Sequence, residues 1–314
     1  MSRKFITILI LCCVPCFSMN SPFLAAKAIR SFQAGKPQEA RQLLYKSLKK
    51  ALINSREDWI AKAALNLAEI EIQSGYYSQA RVLLNKIPDL EDNEIRTLMF
   101  WKRAKLCVRE GQIDSALWLI NKASQNNRKD YSFFHDLRID ELRIKLEKAS
   151  GGTDINKIQD DIQALKKDLP GKITGAIFAL EALAMMKENN YSGAAIAWQK
   201  AIDYYQTKKL LVPMGQSLHY AAMCAYTRGD IKTALVFNKR AIGVFSAMGM
   251  ERPGMKIWLF SLFLSESPIE QEKLKNKIGM LLKSSPNFSA QKELKNFRKY
   301  IDLTPSESIA DIFN

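Results

Sequence analysis

Histidine is almost missing from this chain: His135 and His219 are the only two in 314 residues. Two imidazoles cannot build a His-rich metal site without carboxylates, and no H-E-x-x-H pair is present. A P-loop, a G-x-S-x-G elbow and a dinucleotide fingerprint are absent too. Asp160-Asp161 is an adjacent acid pair, but neighbouring helical residues point about 100° apart, so the two carboxylates cannot face each other. The expectation is a protein that is not an enzyme and uses no metal or small-molecule cofactor. Nucleic-acid binding would need a recognisable domain or a basic-aromatic stripe, and neither is there. Glycine (14) and proline (10) are sparse, while Ala, Leu, Lys and Ile are frequent, a balance that favours helix over strand. With 47% hydrophobic residues, a sizeable core is possible.

Cysteine is scarce beyond the N-terminus. Ser2-Arg3-Lys4 is a basic leader, Phe5 to Val14 an uncharged apolar run, and Pro15-Cys16-Phe17-Ser18 a stretch ending in small residues. That is the layout of a secretory signal peptide over residues 1–18, cleaved near Ser18 or Met19. The run is too short to span a bilayer, which needs roughly 20 residues; an uncleaved interfacial anchor is the alternative. Cys13-Val14-Pro15-Cys16 matches C-x-x-C but lacks a strand-helix context for redox chemistry. A lipid on Cys16 is disfavoured by Pro15 before it. Beyond the leader only Cys107 and Cys224 remain, and both read as small buried groups in helices rather than a disulfide framework.

What the chain does have is a repeat. Ala68 to Pro88 reads as one apolar-periodic segment closing at Ser74-Gly75 and a second starting around Ser78. Aligned on Gly35, Gly75, Gly111, Asn189 and Gly229, five copies appear. Seven residues before each turn stands alanine: Ala28, Ala68, Ala104, Ala182 and Ala222. Five after stands another: Ala40, Ala80, Ala116, Ala194 and Ala234. Antiparallel helices joined by a tight turn approach closely, and only small side chains permit that. Glycine or asparagine closes the first helix because the chain leaves it with positive φ. Residues 131–169 read as a degenerate hairpin, helix Tyr131 to Ala149 and then Ile155 to Leu169. After the fifth copy come Gly254 to Leu264 and Ile269 to Lys283 behind Pro268, then a helix over Ser289 to Ile301 and a capping-box start at Thr304-Pro305-Ser306-Glu307.

These turns and alanines, as in Gly75-Tyr76-Tyr77-Ser78-Gln79-Ala80 and Gly229-Asp230-Ile231-Lys232-Thr233-Ala234, resemble the tetratricopeptide repeat family. The resemblance implies an all-α fold, a right-handed superhelical solenoid of antiparallel helix hairpins. It divides the chain into the leader, an array over 19–249, and a degenerate repeat with capping helices over 250–314. In that family first helices line a concave groove. Residues ten, six and three before each turn would face it: Ala25, Ile29 and Phe32; Leu65, Glu69 and Ile72; Trp101, Lys105 and Val108; Ala179, Leu183 and Met186; His219, Met223 and Tyr226. The strongest candidates for a partner-binding groove are Phe32, Leu65, Ile72, Trp101, Lys105, Leu183, Met186, His219, Met223 and Tyr226. Their apolar, Met- and aromatic-rich character fits a protein or peptide segment, although the same side chains at helical spacing serve as core. The paired Lys and Asn with which family members grip acidic C-termini are absent.

Formal net charge is +15, with lysines spread along the chain. They form either a solvated helix surface or an attraction to an anionic partner or envelope surface. The combined expectation is an exported scaffold, periplasmic or envelope-associated, holding a protein segment. A cytoplasmic or membrane-tethered regulatory or sensory helical-repeat module is the rival.

Overall fold

The computed structural model describes residues 21–87, 90–169, 174–251 and 254–283. Over these residues the protein is all α-helical, with fourteen helices and no strand. They pair in chain order: α1 (Ser21–Gln33) with α2 (Pro37–Ile53), α3 (Glu57–Gln73) with α4 (Tyr77–Asn85), and α5 (Asn93–Arg109) with α6 (Ile113–Gln125). The degenerate stretch holds α7 (Phe134–Lys148) and α8 (Gly152–Asp168). Then come α9 (Gly175–Lys187) with α10 (Tyr191–Thr207), α11 (Leu211–Thr227) with α12 (Ile231–Ala247), and α13 (Met255–Leu264) with α14 (Pro268–Lys283). The leader and the helix expected over Ser289 to Ile301 lie outside the described residues. The chain forms two compact units, residues 1–141 and 142–314, and the division falls inside α7.

The five turn residues found by alignment are all left-handed: φ is 79° at Gly35, 80° at Gly75, 73° at Gly111, 60° at Asn189 and 80° at Gly229. Their hydrogen bonds close the first helix. At the second turn the Gly75 N–H donates to the Ile72 carbonyl at 3.2 Å and the Tyr76 N–H to the Glu71 carbonyl at 2.8 Å, satisfying carbonyls that the helix end leaves open. Side chains then start some of the following helices. Asn190 accepts from the Gly193 N–H at 3.0 Å and Asp230 from the Thr233 N–H at 3.1 Å.

All ten alanines at the two fixed offsets are 0% exposed. Such complete burial is what the close approach of the two backbones at a helix crossing requires. In the second hairpin Ala68 and Ala80 meet within a cluster that includes Leu65, Ile72 and Leu84. Ala80→Leu is expected to cost about 1–3 kcal/mol in urea denaturation, because the added methylenes have no space. Gln79→Leu, one residue away on the exposed surface, is the control and should be near neutral.

The open ends of the hairpins hold a second device. In two of them a glycine on one helix faces an aromatic ring on the other. A Cβ on Gly175 would come within 2.8 Å of the Tyr205 ring, and one on Gly215 within 2.7 Å of Phe245. Each glycine thus makes a notch for a ring at the far end of its own hairpin. Ala61 and Thr97, both fully buried, hold the matching register in α3 and α5.

Hairpins one and two are joined by a buried ion pair: Arg41 Nε on α2 donates to Glu71 Oε1 on α3 at 3.0 Å. Burial raises the Glu71 carboxyl above its usual range, with Arg41 opposing the shift.

Candidate partner-binding surfaces

In the first unit the sequence-predicted groove residues divide into core and ionic cluster. Phe32, Leu65 and Ile72 are buried, and the latter two belong to the core under the second hairpin. Trp101, also buried, and the half-buried Lys105 meet in a polar cluster that the apolar reading of this face did not foresee. Glu69 on α3 sits between two ammoniums of α5: Lys102 Nζ lies 2.8 Å from Oε2, and Lys105 bonds Oε1. Gln73 donates to the same carboxylate. Asp140 on α7 completes the cluster, accepting from Trp101 Nε1 at 3.0 Å with Lys105 Nζ at 3.7 Å. Lys102 Nζ lies 4.0 Å from the centre of the Trp101 ring. Although desolvation pushes the Glu69 carboxyl upward, the two lysines outweigh it and hold the group far below the usual carboxylate range. Lys102 is lowered by burial, with Glu69 opposing. Asp136 is raised by desolvation and by the neighbouring Asp140. The cluster is largely self-neutralising, and it fixes α3, α5 and α7 against one another.

In the second unit four of the predicted residues come together. Met223, Met186 and Tyr226 pack in one cluster with Tyr220, Phe237, Phe260 and Phe263, and His219 packs edge-on against Phe260 at 5.7 Å. Leu183, half-buried on α9, lies outside that cluster. Tyr226 stands edge-on to Phe260 at 5.9 Å and to Phe263 at 5.2 Å. Tyr220 stacks on Trp198 at 4.9 Å with the planes 8° apart, while Trp198 Nε1 reaches Met186 Sδ at 3.3 Å. Met186, Tyr220, Tyr226 and Phe263, from α9, α11 and α13, are only partly buried and remain open to a partner; His219 and Met223 lie beneath them. Burial lowers His219 to about 4. Asn238 opposes that shift, and it also donates to the Ile257 carbonyl at 3.2 Å and to Ser261 Oγ at 2.6 Å.

The sequence reading had missed Lys102, Asp140, Tyr220, Phe260 and Phe263. Phe260 and Phe263 stand three apart on α13, a helical stripe that was legible, but no turn glycine fixed the register of that helix. Cys107 and Cys224 are free thiols. Burial raises Cys107 and pushes Cys224 up to about 12, which leaves the latter an inert core group. Among the described residues no group of three His, Cys, Asp or Glu could hold a metal ion.

A tetratricopeptide repeat family model matches residues 31–99. No match was found among curated proteins. Among solved structures, the chain is similar to a Rap protein complexed with competence and sporulation factor: TM-score 0.61 at 12% identity, covering 93% of this chain and 84% of that one. It is also similar to a signal transduction ATPase with a tetratricopeptide repeat sensor from Pyrococcus horikoshii (TM-score 0.48, 15% identity, 90% and 44% covered). A tetratricopeptide repeat protein from Parabacteroides merdae has TM-score 0.43 at 12% identity, with 83% and 98% covered. The fold is that of a helical-repeat solenoid, and residues 31–99 are similar to the tetratricopeptide repeat.

Proposed function

We propose that this protein is a non-catalytic scaffold that binds a protein or peptide segment. The observation that carries the reading is the partly exposed Met and aromatic face of Met186, Tyr220, Tyr226 and Phe263 on consecutive first helices. Large aromatic side chains that are half-buried and braced by one another lose little freedom on binding, which makes them good anchors. The Rap protein that shares the fold was solved with competence and sporulation factor bound, a precedent for ligand capture on this architecture. Tyr226→Ala and Phe263→Ala should each weaken capture of the partner by roughly tenfold with the helical circular dichroism spectrum retained. The measurement is crosslinked affinity purification from the source cells, wild type against variant. Unchanged recovery in both variants would remove this face from the function.

The site of action we propose is outside the cytoplasm, in a cell-envelope assembly, on the strength of the basic leader Ser2-Arg3-Lys4 and the apolar run that follows it. The mass of the mature N-terminus tests this: a start near Met19 supports export, and an intact Met1 in the cytosol supports the regulatory rival.

A further inference from the structure

The second helix of each hairpin turns its core positions, five, nine and twelve after the turn, toward the first helix. Position seven stands 200° from position five, so it points away from the core, where an apolar side chain adds nothing to the fold. Four of the five aligned copies nevertheless carry one there: Val82, Trp118, Ile196 and Val236, which are 53, 59, 62 and 58% exposed. One such residue would be ordinary; the same position in four hairpins is a pattern. Eleven after the turn, one helical step further along the same face, every copy carries a cation: Lys46, Lys86, Lys122, Lys200 and Arg240. All five are exposed, and among the described residues none joins a salt bridge. Lys86 sits at the cap that closes α4, and Lys122 Nζ lies 5.9 Å from the Trp118 ring centre. Within the second helices, the acids within about 60° of position seven, at offsets three, four, seven, ten, eleven and fourteen, are Glu39, Asp114 and Asp203.

We infer that this outward face docks on an anionic lipid surface. The charge calls for an anionic partner, and the spacing of the apolar groups decides its kind. At this position they come one per hairpin, each four residues before a lysine or arginine. A protein interface desolvates a continuous core, from which lysine is depleted. A lipid headgroup layer accepts separate apolar side chains one at a time while phosphates meet the flanking cations. Trp118 beside Lys122 is a pairing suited to that boundary, where aromatic rings sit at headgroup depth. No described helix is long and apolar enough to cross a membrane. Each compact unit carries two of the apolar–basic pairs and can attach through its own. The inference concerns a different surface from the Met and aromatic face and does not depend on it.

Vesicle flotation of the full chain tests it, with phosphatidylcholine alone against phosphatidylcholine containing about a third phosphatidylglycerol. The protein should float with the anionic vesicles only and be released at about 1 M salt, where charges are screened within a few ångströms. Two quadruple variants separate the contributions: V82S/W118S/I196S/V236S and K86Q/K122Q/K200Q/R240Q. Each should weaken partition by about tenfold or more while leaving the thermal midpoint unchanged, and Trp118→Ser alone should show part of the loss if a quadruple variant folds poorly. Absence of flotation overturns the inference. So does apolar-variant binding equal to wild type, which would mean charge-driven adsorption to any polyanion. Self-association lost in the apolar variant, with no vesicle binding, would assign the face to a second copy of the chain instead.

Discussion

Glu69→Ala is expected to lower stability by about 3–5 kcal/mol, because it leaves two buried or half-buried ammoniums without their shared counter-ion. Lys102 lies 2.8 Å from one carboxylate oxygen and Lys105 bonds the other. With Glu69 gone, Asp140 reaches Lys105 only at 3.7 Å, and Lys102 faces that ammonium with little compensation. Removing both ends should hurt less than removing one, since an apolar replacement of a buried ion pair is often near neutral. Glu69→Leu/Lys102→Met is therefore expected to recover much of the loss. Urea titration followed by circular dichroism measures all three states. If the single and double variants are equally unstable, the two side chains contribute through packing rather than as a pair. The network also makes a pH statement. The Glu69 carboxyl is held below its ordinary value, so its contribution is complete above about pH 4.5 and disappears as the pH falls further.

The second large effect is on the other unit and in a different pH window. His219 is lowered from 6.5 to about 4 by burial. The folded state thus binds fewer protons than the unfolded chain between those values, and stability falls as the pH drops through the window. The full loss is about 3 kcal/mol, and about 2 kcal/mol of it should be present by pH 5. The groups that face the imidazole explain the direction. Phe260 and Tyr220 pack against it, Lys256 adds a like charge, and Asn238 opposes the shift by favouring the protonated form. Comparing His219→Gln with wild type at pH 7 and pH 5 isolates the term, since Glu69 does not titrate in that range. Parallel stability curves for the two proteins would show that the ring is not buried neutral.

The architecture was legible where a backbone constraint has a one-residue signature. Gly35, Gly75, Gly111, Asn189 and Gly229 mark left-handed turns, and the alanines mark crossings; both follow from sterics that leave few alternatives. The links between hairpins were not legible in the same way, because two of them place left-handed φ on Ser55 and Lys209, side chains that announce nothing of the kind. The candidate surfaces were half legible. Met186, Met223, Tyr226 and His219 were identified by register and do share one cluster. Leu65 and Ile72 share that register yet lie in the core under the second hairpin. The ionic cluster was out of reach, since the helix of Asp140 is followed by Gly151-Gly152, which takes no left-handed turn of the repeat, so its facing had no register to be read from. Lys102 was hidden too, one residue off the register that Trp101 defines.

The notches at Gly175 and Gly215 carry a consequence for how such arrays change over time. Each notch and the ring that fills it, Tyr205 or Phe245, belong to the same hairpin. A duplication or exchange of one whole hairpin therefore transmits the lock and its key together, whereas recombination between the two helices separates them and strands an aromatic ring against a side chain it cannot clear. Inheritance by complete hairpins is the route this packing leaves open.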